Sequence, residues 1–146
     1  TYETCYSSDT AGMFDLKAYD YIVDATDTID SKILLIEMAH RAGVPVISCM
    51  ATENKINPSR FEIADISKIA KDPTVKRMRA ELRKQGIRKV KVLYSREKPN
   101  KILELKRKKE AQGENGSISF VPGVAGLLIA GEVVRDILRK NIKNIR

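Results

Sequence analysis

YDYIVDATDTIDSKILLIEMAHRAGVPVISCM, residues 19–50, decides the fold. Its opening part, AYDYIVDA (18–25), is as short as a strand and apolar enough to be buried on both faces, as central strands of a parallel sheet are. It runs into three carboxylates, Asp24, Asp27 and Asp30, and there the period changes. In SKILLIEMAHRAG (31–43) the apolar positions 33, 34, 36, 38 and 39 recur at helical spacing. Asp30 or Ser31 is expected to cap this helix and Gly43 to end it. VPVISCM (44–50), built of small and β-branched residues, predicts a second buried strand.

Strands and helices continue to alternate outward from this unit. ATENKINPSRFEIADISKIAK (51–71) reads as loop, broken at Asn57-Pro58. DPTVKRMRAELRKQG (72–86) predicts a helix with Asp72 as its cap and Pro73 at its first position, apolar at 75, 78 and 82 and otherwise strongly basic. IRKVKVLYS (87–95) alternates like a strand with one wet face. REKPNKILELKRKKEAQGENGS (96–117) has the polar character of a long flexible basic loop. ISFVP (118–122) predicts a last short strand, and PGVAGLLIAGEVVRDILRK (122–140) a final helix. That helix carries Gly123, Gly126, Ala130 and Gly131, and each glycine costs about 1 kcal/mol of helix propensity relative to alanine. Close backbone packing against a sheet or a partner subunit is the expected return.

Composition limits what such a protein can be. With 146 residues, 42% of them apolar, one ordinary globular domain is expected. The most apolar stretch, VPGVAGLLIAGEVV (121–134), is shorter than a membrane span and contains Glu132, so no membrane partner is expected. Two cysteines, Cys5 and Cys49, form no CxxC pair and suit a reducing, cytoplasmic setting, and packing roles are expected for both. His40, the one histidine, falls on a helix and is expected to meet solvent. No charged-then-apolar amino-terminal segment resembles a signal peptide, but the chain opens on Thr1 without a methionine, which leads us to expect a fragment or a processed start.

The net charge of +8 is unevenly spread. Residues 1–67 hold 5 basic and 11 acidic side chains, net −6, whereas residues 68–109 hold 17 and 4, net +13. A block of this kind meets polyanions or forms a solvated face. Only Tyr94 is aromatic within it, so phosphate contact rather than base stacking is its expected mode.

The carboxylates can now be placed. Ligands of open parallel sheets bind beyond the carboxyl ends of the strands, where Asp24 and Asp27 fall. Each acid alone would serve as a turn or helix cap. Two so close raise each other's pKa unless a cation lies between them, and magnesium carried by a nucleotide binds through one or two carboxylates plus phosphate oxygens. The ribose-binding acid of a dinucleotide fold is a third option, but no GxGxxG loop precedes Asp24 in these residues.

The stretch 19–50, with its strand ending in DxxD, resembles the ThiF/MoeB/ubiquitin-activating-enzyme superfamily. NPSRFEIADISKIAKDPTVKRMRAELRKQGI (57–87) and GSISFVPGVAGLLIAGEVVRDIL (116–138) are similar to the crossover segment and closing helix of its tRNA threonylcarbamoyladenosine dehydratase branch. The resemblance runs from about Tyr2 to Leu138. It implies an α/β fold, Rossmann-like and ATP-binding, of the ThiF type. It also implies that 1–146 is a single partial domain, the carboxyl-terminal half of an adenylating domain whose Gly-rich ATP loop lies upstream.

Carried over position by position, Asp27 matches the family acid that holds magnesium on the ATP phosphates and is the catalytic candidate. Asp24, Thr28 and Lys32 join it as candidate nucleotide-binding residues. Thr28 fits the dehydratase branch better than the asparagine usual in sulfur-carrier-activating members, and Lys32 has an equal claim to a structural role on the helix. No zinc is expected, and no match exists for the reactive cysteine of some members.

The resemblance implies ATP-dependent activation of a carboxylate, that of threonylcarbamoyladenosine beside the tRNA anticodon, followed by ring closure with net loss of water. The basic block then supplies candidate tRNA contacts: Lys76, Arg77, Arg79, Arg83, Lys84, Lys106, Arg107, Lys108 and Lys109. A homodimer and a sulfur-transfer partner protein are further expectations from the family. Two alternatives stay open: activation of a ubiquitin-like sulfur carrier, and a non-catalytic half that binds RNA or dimerises.

Overall fold

The structure, a computed structural model, describes residues 1–50, 52–69, 72–97 and 118–144. The predicted loop 96–117 lies outside these residues except for Arg96 and Glu97, and so do Lys106, Arg107, Lys108 and Lys109. In chain order the principal elements are β1 (Ile22–Asp24), α1 (Ile29–Ala42), β2 (Val46–Cys49), β3 (Phe61–Asp65), α2 (Pro73–Lys84), β4 (Lys91–Ser95) and α3 (Phe120–Asn144).

The strands form one mixed sheet in the order β1-β2-β4-β3. β1, β2 and β4 run parallel, with Asp24 beside Ser48 and Ser48 beside Val92; β3 pairs antiparallel with β4. Helices cover both faces, as parallel strands require. On one side α1 and α2 bury Ile36, Val75, Met78 and Leu82 with Val92 of β4. On the other, Ala125 and Ile129 of α3 pack on Ile47 and Leu93. Val92 and Leu93 are both fully buried, so β4 has no wet face, contrary to the alternation in IRKVKVLYS. The alternation put lysines beside valines, and α3 covers the face it left exposed. A third cluster joins Leu16 and Ile22 to Leu35 and Ala39 of α1.

The helices that the sequence marks best end where it marks them. Asp72 accepts from Val75 N at 3.1 Å with proline in the first turn of α2, and Gly43 closes α1 in the left-handed region at φ 73°. A β-carbon is disfavoured in that conformation, which is why glycine ends the helix.

Several expectations are corrected. The cap of α1 is Thr28, whose Oγ1 accepts from Ser31 N at 3.2 Å, not Asp30 or Ser31. The strand expected over 18–25 is only Ile22–Asp24, and its Val23 is 46% exposed, so one face is open rather than buried; residues 16–18 form a 3-10 turn. Within the expected loop, FEIAD forms β3, because its period-two alternation suffices for a strand once β4 offers a partner. ISFVP forms no strand: Val121 N bonds to Ile118 O, and α3 begins at Phe120 with Pro122 in its first turn, where proline is tolerated. The buried Val121, Ala125 and Ile129 recur every four residues, a helical stripe. A β-carbon added at Gly123 or Gly126 would meet nothing within 4 Å, and one at Gly131 would meet only the Arg135 side chain. Close packing of α3 is therefore made by its alanine and isoleucine, not its glycines. Cys5 is exposed and does not pack, while Cys49 is half-buried and His40 is exposed as expected.

Candidate nucleotide-binding cleft

A cleft of about 660 Å³ opens at the carboxyl ends of β1 and β2. Val23, Ala25, Thr26 and Asp27 come from the end of β1, Ile29 and Lys32 from α1, and Cys49 and Met50 from the end of β2. Thr52 and Glu53 from the following loop, Thr74 from the start of α2, and Gly126 and Ile129 of α3 complete the wall.

The carboxylates that looked alike in sequence have different surroundings. Asp24 is fully buried beneath the cleft and does not line it. Its Oδ1 accepts from Thr26 N at 3.0 Å and from Thr26 Oγ1 at 2.7 Å. Its Oδ2 accepts from Ser48 Oγ, the neighbouring residue across the parallel register, and faces Lys32 Nζ at 3.5 Å. A buried carboxylate is tolerated only with such compensation. Lys32, 6% exposed, also donates to Cys49 O at 2.8 Å and reaches the cleft wall. The helix face and the strand end are thereby tied under the cleft, and Lys32 forms part of its wall. The Cys49 thiol pKa is raised by burial, with Lys32 opposing and Asp24 adding to the shift, so this cysteine is held as the neutral thiol.

Asp27 is exposed and lines the cleft, and with Thr28 serving as the cap its carboxylate has no capping duty. Thr28 Oγ1 also donates to Ser31 Oγ at 2.8 Å, and this residue is not on the cleft wall. Asp30, the third acid, pairs with Arg77 at 2.8 Å on the surface. The structure thus brings Asp27 and Lys32 together at the cleft, places Asp24 beneath them, and leaves Thr28 and Asp30 outside.

Four residues escaped the sequence reading. Ser48 was legible as the polar interruption of an otherwise apolar strand. Thr52, Glu53 and Thr74 lie in segments without a motif, and only the folding of the chain around the strand ends gathers them. Two carboxylates, Asp27 and Glu53, therefore share one cleft, a donor set that fits magnesium held partly by phosphate oxygens. Among the described residues no group of three or more His, Cys, Asp or Glu is assembled.

The basic residues of α2 differ in availability. Lys76, Arg77, Arg83 and Lys84 are exposed, Lys84 in an ion pair with Glu81 at 2.8 Å. Exposed pairs of this sort are weak and open to exchange. Arg79 instead donates to the carbonyls of Ser67 at 3.3 Å and Ile69 at 3.0 Å, which anchors the turn before α2.

Parallel strands sandwiched between helices, with a cleft at their carboxyl ends, define an α/β protein of the Rossmann-like class. The chain belongs to the ThiF family, whose model matches residues 3–146. It is 41% identical to the tRNA threonylcarbamoyladenosine dehydratase of Bacillus subtilis, over 97% of this chain and 60% of that protein. It is 34% identical to tRNA threonylcarbamoyladenosine dehydratase 2 of Saccharomyces cerevisiae, over 68% of this chain and 24% of that one. In fold it matches Escherichia coli tRNA N6-threonylcarbamoyladenosine dehydratase, TcdA, solved in complex with ATP: TM-score 0.74 and 19% identity, over 92% of this chain and 54% of that one. The chain thus spans about 60% of the Bacillus relative and little more than half of the solved one.

Proposed function

We propose that this chain forms part of an ATP-dependent tRNA-modifying enzyme that activates the carboxylate of threonylcarbamoyladenosine and dehydrates it to a cyclic form. The observation that carries the reading is a cleft at the strand ends of a ThiF-family chain whose wall includes both the exposed Asp27 and Lys32. The relatives' names supply the substrate class.

Asp27 and Glu53 are the residues that would hold magnesium, which when bound supplies neutralisation of triphosphate charge. Lys32 offers a fixed ammonium to a phosphate or to the substrate carboxylate. Its bonds to Asp24 and to the Cys49 carbonyl prevent its ammonium from wandering, a positioning contribution made before substrate arrives. Val23, Ile29 and Ile129 give the cleft an apolar wall, a lining suited to an acyl-adenylate that hydrolysis would waste. In the reaction, the substrate carboxylate attacks the α-phosphate, pyrophosphate leaves, and an internal nucleophile displaces AMP to close the ring.

The exposed basic side chains of α2 suit a tRNA, and Thr74 at the start of that helix lies on the cleft wall, so the basic face borders the proposed site. A homodimer belongs to the same reading; exposed Leu127, Val134 and Leu138 along α3 support it.

The test is ATP–pyrophosphate exchange by the full-length gene product, with and without tRNA carrying threonylcarbamoyladenosine. Exchange dependent on that tRNA is expected, and Asp27→Asn should abolish it while leaving the melting temperature within about 2 °C, because an exposed side chain away from caps and core contributes little to stability. Exchange retained in Asp27→Asn would return that residue to a surface role.

A further inference from the structure

We infer that Glu97 is a positioning residue of the cleft: its carboxylate clamps the loop that carries Thr52 and Glu53 into the wall. The inference rests on the nucleotide-binding reading of that cleft.

Thr52–Asn57 lies between β2 and the 3-10 turn at Pro58–Arg60, and in it Asn54 adopts a left-handed backbone at φ 57° without being glycine. Asparagine is among the few residues besides glycine that adopt this region readily. The ties that hold the chain just after this turn come from one residue beyond the carboxyl end of β4. Glu97 accepts from Ile56 N through Oε1 at 3.2 Å and Oε2 at 3.1 Å, and from Asn57 N at 3.0 Å. Its main-chain carbonyl accepts from Lys55 Nζ at 3.0 Å. Glu97 is itself held, its N–H donating to Ser95 Oγ at 3.1 Å, and Arg96 N bonds to Arg60 O at 2.9 Å.

Two successive backbone amides and an ammonium thus converge on one glutamate at the end of a sheet strand. Hydrogen bonds to a charged acceptor are about twice as strong as neutral ones, so among the described residues this bracket is a principal tie of the loop. Glu97 does not line the cleft. It acts through the loop: with the bracket closed, Thr52 and Glu53 stand in the cleft wall that also holds Asp27 and Lys32, and with it open that part of the wall is lost. Because the clamp is remote from the reacting atoms, it governs how well the nucleotide is held more than how fast it reacts.

The experiment compares Glu97→Gln and Glu97→Ala with wild type in the full-length gene product, reading amide hydrogen exchange over 52–57, KM for ATP, kcat and melting temperature. In Glu97→Ala, exchange at Ile56 and Asn57 is expected to accelerate at least 10-fold and KM to rise about 10-fold, equivalent to 1.4 kcal/mol, with kcat within about 2-fold. Glu97→Gln keeps one acceptor oxygen and is expected to recover part of both effects. Unchanged exchange in Glu97→Ala overturns the clamp. Accelerated exchange with unchanged KM overturns its role in the cleft, and equal losses of kcat and melting temperature in both variants reduce it to a structural contact. If wild type itself neither binds nor turns over ATP, the nucleotide reading fails, while the exchange data still judge the clamp.

Discussion

Replacing Lys32 by methionine removes the cation buried against Asp24 while nearly preserving side-chain volume. At 3.5 Å the pair's Coulomb energy is about 5 kcal/mol at an effective dielectric of about 20. Not all of it is lost, since Asp24 keeps the donors on Thr26 and Ser48. About 3 kcal/mol is expected, at the low end for breaking a buried pair. For a chain of this size that lowers the melting temperature by roughly 6–12 °C. Asp24→Asn should cost about as much, by leaving the ammonium buried with only Cys49 O as partner. The double variant removes both charges and should lose clearly less than the two single losses together, giving a coupling of at least about 1.5 kcal/mol. The bond to Cys49 O is absent from both lysine variants and cancels in the cycle. Thermal or urea denaturation of the four proteins measures this. Losses that add within about 0.5 kcal/mol would refute the pair as an energetic unit.

Three further outcomes follow from the surface and the second face of the sheet. Charge reversal at exposed Lys76 and Arg83 should weaken tRNA binding and flatten its salt dependence, by roughly 0.7–0.9 in the log–log slope for each phosphate no longer neutralised, whereas Arg79→Gln should chiefly lower stability by freeing the Ser67 and Ile69 carbonyls. Filter binding across a salt series reads the first effect and thermal melts the second. Between sheet and α3, hydrogen bonds from Lys91 and Arg135 hold Glu132 below its ordinary 4.5, and at Asp136 burial is outweighed by the bonds from Lys91 and Tyr21, which hold it below 3.8. Groups depressed on folding stabilise above their unfolded pKa values, so stability from this cluster should persist above about pH 4.5 and fall as pH drops through the lower folded values. Lys91→Met should remove much of that acid limb; an unaltered pH profile would rule the cluster out.

The α1 and α2 boundaries were legible because caps and stops are local chemistry. Asp72-Pro73 and Gly43 act through their own backbone neighbours, whatever the chain does elsewhere. Even there, choosing Thr28 over Asp30 and Ser31 as the α1 cap took the observed backbone, since all three can accept the same kind of bond. The family resemblance was equally visible in the strand ending DxxD, and residues 3–146 do belong to the ThiF family.

Periodicity by itself settled the order of β1, α1, β2, α2 and β4, but not which strand faces are covered, since β1 keeps one face open and β4 none. It could not settle β3 or the start of α3, where short apolar runs take the state their partners offer: FEIAD found an open strand edge, and Val121 is buried as part of a helix. Nor could it separate the acids of the opening stretch. Asp24 and Asp27 stand three residues apart in the same motif, yet one is buried among Thr26, Lys32 and Ser48 while the other is exposed on the cleft wall. Burial and the direction of a carboxylate depend on the parallel register that sets Ser48 beside Asp24 and on the helix that lays Lys32 over both. That is long-range packing, which is why the tertiary structure decided it.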